Sequence, residues 1–248
     1  MKKVLRSAQF VMLGLIIAFT VVIPVRSALA AAGDIRTIAG GKALDTPNGI
    51  QVLPNGDILI ADTFNHRVIK FDQNGALTHV AGTGTRGYAG DNGPATSARL
   101  DGPVSLAVGN DGGLFIAEMA TASGWSSPGI RRVRKVDTNG TIMSIVSGTS
   151  GSAGADLCTR SSADAYFNTT LTQVLVNRAD MSTPTGRVYV IANGLWRLED
   201  NGTLTNWSDP ACGNGVLNTG FTTGMFDAYG TFYYWDASDF SVYETADF

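Results

Sequence analysis

An internal repeat constrains the fold of this chain more than any other feature of its sequence. Residues 47–62 (PNGIQVLPNGDILIAD) align without a gap to residues 103–118 (PVSLAVGNDGGLFIAE), at an offset of 56 positions. The segments that follow also match, RVIKFDQNGALTHVAG from Arg67 and RVRKVDTNGTIMSIVSG from Arg132. A third copy starts at Gly186, and a weaker fourth copy follows it. Copies of this length indicate one supersecondary unit that is used several times.

Each copy has the pattern of short β-strands. Apolar and polar residues alternate over four to seven positions, which is the periodicity of a strand. Asn-Gly pairs that begin at Asn74, Asn139 and Asn201 follow the third strand of the first three copies, and Asn-Gly favours a two-residue hairpin turn. Each copy therefore predicts a four-stranded antiparallel meander. Such meanders bury their faces by stacking around an axis, so we expect an all-β fold, a β-propeller.

The predicted propeller covers residues 31–248. Its blades are expected at about 47–82, 103–148, 169–208 and 219–248. The last of these has three strands, whereas residues 35–40 (IRTIAG) match a fourth strand and have no strands before them. We expect this N-terminal strand to complete the last blade and to close a ring of four blades, which leaves no open sheet edge. The alternative is a larger propeller of which this chain is a truncated part.

The start of the chain has the pattern of a secretory signal peptide. Lys2, Lys3 and Arg6 precede an uncharged apolar run from Phe10 to Val25, and a small-residue Ala-Leu-Ala sequence ends at Ala30. We expect residues 1–30 to be removed near Ala30 and the rest to be periplasmic or secreted in a bacterium. An uncleaved N-terminal anchor is the alternative, and no later segment predicts a membrane span.

Charge argues against nucleic acid as a partner. The whole chain has a formal charge of −3, and the segment after the signal peptide has one of −7, because four basic residues are removed with it. Phosphate backbones need clustered Lys and Arg. The one basic run, from Arg131 to Lys135, lies on a predicted strand whose alternation divides it between two faces. We expect a solvated strand edge there.

Export also bears on the two cysteines. In an oxidising compartment Cys158 and Cys212 are expected to form one disulfide, and two free thiols are the alternative. The bond would close a loop of about 55 residues and restrict the unfolded chain. The two residues do not have C-x-x-C spacing, so we expect no redox or zinc role for them.

Two stretches connect the repeat to a known family. Residues 60–68 (IADTFNHRV), with the later Asn-Gly and Val-Ala-Gly, resemble an NHL repeat. Residues 82–98 (GTGTRGYAGDNGPATSA) are similar to the linker between blades in exported bacterial NHL proteins. The match is good over residues 35–148 and loose over residues 169–208. It implies an NHL-type β-propeller.

One group of polar residues belongs to the repeat motif itself. Asn65, His66 and Arg67 are expected to fix a turn beside Asp62. The alternative is that His66 acts as a general base, since an imidazole titrates near neutral pH. We expect the structural role.

The long connecting segments are predicted to lie at one end of the propeller. In an up-and-down meander, the second-to-third strand turns and the links between blades share an end, and loops on a rigid scaffold commonly carry binding residues. Candidate ligand-face residues in these segments are Arg86, Tyr88, Asp91, Asn92 and Trp125. The alternative is that these residues cover the ends of the blades.

The predicted inner strands favour binding over catalysis. Their residues are apolar except for Gln51 and Gln173, which makes a poor cation site, so we expect no metal, no cofactor and no catalytic residue. The predicted function is an exported, non-catalytic binding or scaffold module for a protein, peptide or glycan. The alternative is a propeller hydrolase or lyase, of the lactonase or amidating-lyase type, with a metal at the channel mouth.

Overall fold

The computed structural model describes residues 44–119, 132–147, 159–161, 173–192, 194–207, 212, 221–236 and 241–245. The chain divides into two units, residues 1–37 and 38–248, and every described residue belongs to the second unit. The predicted signal peptide 1–30 and the predicted closing strand 35–40 lie outside the described residues. Among the described residues, no helix is long and apolar enough to cross a membrane.

The described strands form four sheets, which we call blades 1 to 4. Blade 1 contains β1 (Pro47–Val52), β2 (Ile58–Asp62), β3 (Arg67–Phe71) and β4 (Leu77–Ala81). Blade 2 contains β5 (Gly93–Pro94), β6 (Pro103–Val108), β7 (Leu114–Glu118), β8 (Arg132–Val136) and β9 (Thr141–Ser147). Blade 3 contains β10 (Thr159–Ser161), β11 (Gln173–Asn177), β12 (Arg187–Ile191), β13 (Leu195–Leu198) and β14 (Thr203–Asn206). Blade 4 contains β15 (Phe221–Phe226), β16 (Phe232–Asp236) and β17 (Ser241–Thr245).

Each blade contains an antiparallel meander of consecutive strands. The predicted all-β fold of antiparallel blades is therefore confirmed. Blades 2 and 3 have one strand more than the repeat predicts, because β5 pairs with β9 and β10 pairs with β14. Both added strands come from the segment that precedes their blade. They cover the outer edge of a sheet that would otherwise leave backbone groups unpaired.

The Asn-Gly turns differ from the expected two-residue form. In the turn between β3 and β4, the Asp72 amide donates to the carbonyl of Ala76, which leaves three residues between them. Gly75 has a φ of 87°, whereas Asn74 is outside the left-handed region. The Asp72 carboxylate also accepts the amides of Asn74 and Ala76 at 2.9 and 2.8 Å. This side chain stabilises a three-residue turn, in which the glycine alone needs a positive φ.

Both faces of the central blades are buried. On β7, Leu114 and Ile116 pack toward blade 1, whereas Phe115 and Ala117 pack toward blade 3. The first cluster also contains Leu100 from the linker before blade 2. Because β7 is covered on both sides, its sequence is apolar at successive positions rather than alternating.

Aromatic side chains join blade 3 to blade 4. The ring of Tyr189 lies 5.0 Å from that of Phe226 and 6.5 Å from that of Trp207. Phe232, which is fully buried, lies 4.9 Å from Phe226 and 5.9 Å from Tyr234. These are centroid separations at which aromatic pairs attract. The cluster holds the last described blade against the rest of the sheets.

The first strands of successive blades touch one another. A Cβ atom added at Gly49 of β1 would lie 2.7 Å from the Val104 carbonyl oxygen of β6, so only glycine allows this approach. The Val174 amide of β11 donates to the Ser105 hydroxyl of β6 at 3.2 Å. The Gly224 amide of β15 donates to Oε1 of Gln173 on β11 at 3.1 Å. The four first strands therefore follow one another in the order β1, β6, β11 and β15.

Large apolar side chains are exposed on the first strands of blades 1 and 4. Ile50 and Val52 of β1 are 65% and 58% exposed, and Met225 of β15 is 59% exposed. These are the two blades that the predicted ring closure would bring together. Closure by residues 35–40 stays a prediction.

If residues 35–40 complete blade 4, a proline within them will weaken the protein. We expect Ile38→Pro, in a chain that starts at residue 31, to lower the thermal unfolding midpoint and to promote association, because proline cannot donate to a strand ladder. Lys42→Pro, outside the predicted strand, is the control. Calorimetry and light scattering measure both effects, and equal behaviour of the two variants would contradict closure by this strand.

Candidate functional site

The four residues of the repeat motif meet at the end of β2. Asp62 is fully buried, and its carboxylate accepts the Asp45 amide at 2.7 Å. It also accepts Nδ2 of Asn65 at 3.0 and 3.1 Å and Nε of Arg67 at 2.8 Å. A buried charge needs such donors, and here they fix the turn between β2 and β3.

His66 connects this turn to the segment that precedes β6 of blade 2. Its φ of 48° places it in the left-handed region, and its Nδ1 accepts the Gly102 amide at 3.1 Å. Burial lowers the pKa of His66, which favours the neutral imidazole that this bond requires. The neighbouring Thr63 hydroxyl donates to the Pro103 carbonyl at 2.7 Å. The motif therefore attaches blade 1 to the start of β6, and the geometry is that of a structural turn.

Glu118 occupies the position in blade 2 that Asp62 occupies in blade 1. Its Oε2 accepts the Asp101 amide at 3.0 Å, and the side chain is fully buried. Its Oε1 accepts no hydrogen bond and lies 3.8 Å from Nη1 of Arg134. Burial raises the pKa of Glu118 to about 7, because desolvation outweighs the attraction of the nearby arginines.

The expected solvated edge of the basic run is wrong for Arg134, which is fully buried. Its Nε donates to Oδ1 of Asp91 at 3.0 Å, and its Nη1 donates to the Arg99 carbonyl at 3.0 Å. Both partners belong to the linker that precedes blade 2. This linker packs over β8 and covers a strand face that alternation alone would leave in water.

The first two predicted ligand-face residues have partners within the chain. Arg86 forms an ion pair with buried Asp101, with Nε 3.2 Å from Oδ1. The guanidinium of Arg132 lies over the ring of Tyr88, 4.5 Å from its centroid. Burial raises the pKa of the Tyr88 hydroxyl, and a hydrogen bond to Asp101 raises it further. These contacts attach the linker to blade 2.

The other predicted ligand-face residues differ in their surroundings. Asp91 binds Arg134 as described above. The exposed Asn92 has a φ of 64° and donates its amide to the Ile142 carbonyl of β9 at 2.7 Å. Trp125 lies outside the described residues, so the structure does not bring it together with the others. Cys158 of the predicted disulfide also lies outside them.

A cavity of about 660 Å³ lies between the first strands of the four blades. Gln51 and Gln173, the polar residues that the sequence places on inner strands, both line it. The amide of Gln51 donates to the Val52 carbonyl at 2.9 Å, and Oε1 of Gln173 accepts the Thr223 hydroxyl at 3.2 Å. The rest of the lining is mostly aliphatic, including the side chain of Leu106. The lining therefore offers a ligand both apolar side chains and hydrogen-bonding groups.

Arg178 also lines the cavity and was not found from the sequence. It follows β11, at the start of the loop to β12, and its side chain is exposed. A basic residue directly after an inner strand is the only sequence signal for it. Within the described residues, no group of three or more His, Cys, Asp or Glu side chains could hold a metal ion.

These features define the class of protein. Antiparallel sheets that pack face to face, with their first strands around one cavity, are the blades of a β-propeller. The family model of the NHL repeat matches residues 44–71, from three residues before β1 to the end of β3. The chain therefore contains an NHL repeat in blade 1, and its sheets have the arrangement of β-propeller blades.

One curated relative shares part of this sequence. It is the chloroplastic protein SUPPRESSOR OF QUENCHING 1 of Arabidopsis thaliana, which is 31% identical over 87 residues. The matched region covers 35% of this chain and 8% of that protein. This chain thus spans less than a tenth of the relative's length.

Solved structures also resemble the chain. The virginiamycin B lyase of Staphylococcus aureus has a TM-score of 0.37 at 11% identity, over 80% of this chain and 69% of the lyase. A protein of unknown function from Bacteroides thetaiotaomicron has a TM-score of 0.46 at 15% identity, over 81% of this chain and 41% of that protein.

The buried Arg134 gives a test of how the linker is attached. We expect Asp91→Asn to lower the free energy of unfolding by about 1–3 kcal/mol, because a buried guanidinium loses its charged partner. Asp111→Asn is the control, since its ion pair with Lys135 is partly exposed and worth less than about 1 kcal/mol. Urea denaturation measures both, and equal losses would contradict this role of Asp91.

We expect Glu118 to make the free energy of unfolding depend on pH. Its pKa is raised above the unfolded value of 4.5 to about 7, so its contribution is fully present below pH 4.5 and is lost as the pH rises through 7. We expect Glu118→Gln to remove this part of the decline in unfolding free energy between pH 5 and pH 8. The exposed Glu244→Gln is the control. Parallel pH profiles for wild type and Glu118→Gln would contradict the assignment.

Proposed function

We propose that this protein is an exported, non-catalytic binding module that holds its ligand in the cavity between the first strands. One observation carries the proposal: the cavity of about 660 Å³ combines aliphatic walls with a few hydrogen-bonding side chains. Small-molecule sites commonly have volumes of ~300–1,000 Å³ and this mixture of groups. We therefore propose this cavity as the site of the predicted ligand binding.

The walls of this cavity are supported by contacts between neighbouring blades. Gly49 packs against Val104, Ser105 bonds to Val174, and Gln173 bonds to Gly224. Binding to a preformed site costs less conformational entropy than binding to a site that must be ordered. A rigid cavity therefore supports a binding role.

The cellular location is part of the same proposal. The basic start, the apolar run and the small residues that end at Ala30 support export, with cleavage near that residue. An oxidising compartment would then allow Cys158 and Cys212 to form the predicted disulfide. The partner or ligand would be met outside the cytoplasm, as a protein, peptide, glycan or smaller molecule.

The loop end of the propeller is a second contact surface within this proposal. Asn92 and Trp125 keep their predicted role as contact residues there. That surface is supported by contacts that hold the linker on blade 2, and these contacts involve Arg86, Tyr88 and Asp91.

A neutral apolar probe tests the cavity as a binding site. We expect 1-N-phenylnaphthylamine to bind with increased fluorescence and Ile50→Asn to weaken its binding severalfold, because the apolar wall becomes polar. The unfolding midpoint should change little, as Ile50 is 65% exposed. Leu77→Asn is the matched control, since Leu77 is 51% exposed and outside the cavity.

The same preparation distinguishes binding from catalysis. If the probe does not bind, or if Leu77→Asn weakens it as much as Ile50→Asn does, the cavity is not the site. Calcium or zinc at one equivalent per chain in the purified protein, removable by chelator, would instead favour the hydrolase or lyase alternative.

A further inference from the structure

Arg178 is held at the cavity by a contact between two blades. Its Nε donates to Oδ1 of Asn110 at 3.2 Å, and Nδ2 of Asn110 donates back to the Arg178 carbonyl at 2.8 Å. Asn110 belongs to the turn between β6 and β7, whereas Arg178 starts the loop between β11 and β12. The bond from Nε restricts the guanidinium, and its Nη groups make no hydrogen bond to the residues that the structure describes.

The charge of Arg178 is not neutralised by its acidic neighbours. The carboxylate of Asp111, beside Asn110, is 2.7 Å from Nζ of Lys135. The carboxylate of Asp180, two residues after Arg178, is 3.2 Å from Nε of Arg187. Within the part of the chain that the structure describes, no carboxylate pairs with Arg178, and no other cavity-lining residue is charged.

The cavity walls provide apolar surface for a ligand to cover. Ile50 and Met225 line the cavity, and both have more than half of their surface exposed. Covering such side chains is favourable because apolar area leaves water. The amides of Gln51 and Gln173 are neutral, so they add hydrogen bonds without adding charge.

We propose that the cavity binds a small carboxylate with an apolar body. The carboxylate pairs with the guanidinium of Arg178, and the body lies against Ile50 and Met225. A guanidinium can donate two parallel N–H bonds to a carboxylate, which makes this pair geometrically specific. This inference rests on the proposed function, namely that the cavity holds a ligand.

Competition between two eight-carbon probes tests the charge of the ligand. Octanoate and 1-octanol have similar apolar bodies, and each is titrated against bound 1-N-phenylnaphthylamine. We expect Arg178→Gln to weaken octanoate about tenfold and to leave 1-octanol unchanged, because only the acid uses the charged pair. Arg178→Lys should restore part of the octanoate affinity. Arg99→Gln removes another exposed positive charge, outside the cavity, and should change neither affinity.

A second variant neutralises the guanidinium without removing it. Asn110→Asp keeps an acceptor for Nε of Arg178 and loses the bond to the Arg178 carbonyl, and its carboxylate competes with the ligand for the same charge. We expect octanoate to weaken about tenfold, as in Arg178→Gln, and 1-octanol to be unaffected. Added salt should weaken octanoate in the wild type and have little effect in either variant.

The outcomes separate this inference from the proposed function. If the fluorescent probe binds but octanoate affinity is the same in the wild type and Arg178→Gln, the carboxylate assignment is overturned and the binding cavity remains. If no variant binds the probe, the proposed function itself fails. Tri-leucine with a free or an amidated C-terminus identifies the source of the carboxylate: displacement by the free form alone extends the site to peptide ends, and displacement by neither restricts it to free acids.

Discussion

A buried carboxylate at the end of the second strand determines how each of the first two blades begins. Asp62 accepts the Asp45 amide, and Glu118 accepts the Asp101 amide, so in both copies the donor lies 17 residues before the acceptor. The bond fixes where the first strand starts relative to the second. Since β1 and β6 form part of the cavity wall, the position of that wall depends on these two bonds, which lie at the starts of the strands.

The two copies satisfy this carboxylate differently. Asp62 receives further bonds from Asn65 and Arg67, so all of its charge is compensated locally. Glu118 is one methylene longer, and its second oxygen has Arg134 only at 3.8 Å. Arg134 also donates hydrogen bonds to Asp91 and to a backbone carbonyl of the linker before blade 2. A single lengthened side chain thus coincides with a more extensive buried network.

The repeated short strands with turns between them were sufficient to predict the meander of each blade, because pairing of consecutive strands needs only local information. The added strands β5 and β10 were not predicted, since each pairs with a strand distant in sequence. The turn after β3 was predicted with one residue too few, since the bonds from the Asp72 side chain favour the longer form. Burial of Arg134 and the cavity position of Arg178 could not be predicted. Both depend on segments distant in sequence, which periodicity does not place.

Because of strands β5 and β10, the boundaries of the sheets differ from those of the sequence repeat. Each precedes, in sequence, the meander to which it is added. The strand at the outer edge of the sheet therefore comes before the first strand of the meander. The 56-residue unit of the sequence and the sheet seen in the structure therefore have different boundaries. A duplication or recombination that cut the chain just before β6, the first strand of the meander, would separate β9 from β5, the strand that pairs with its outer edge. Only a unit cut before the linker would carry a complete blade to a new position.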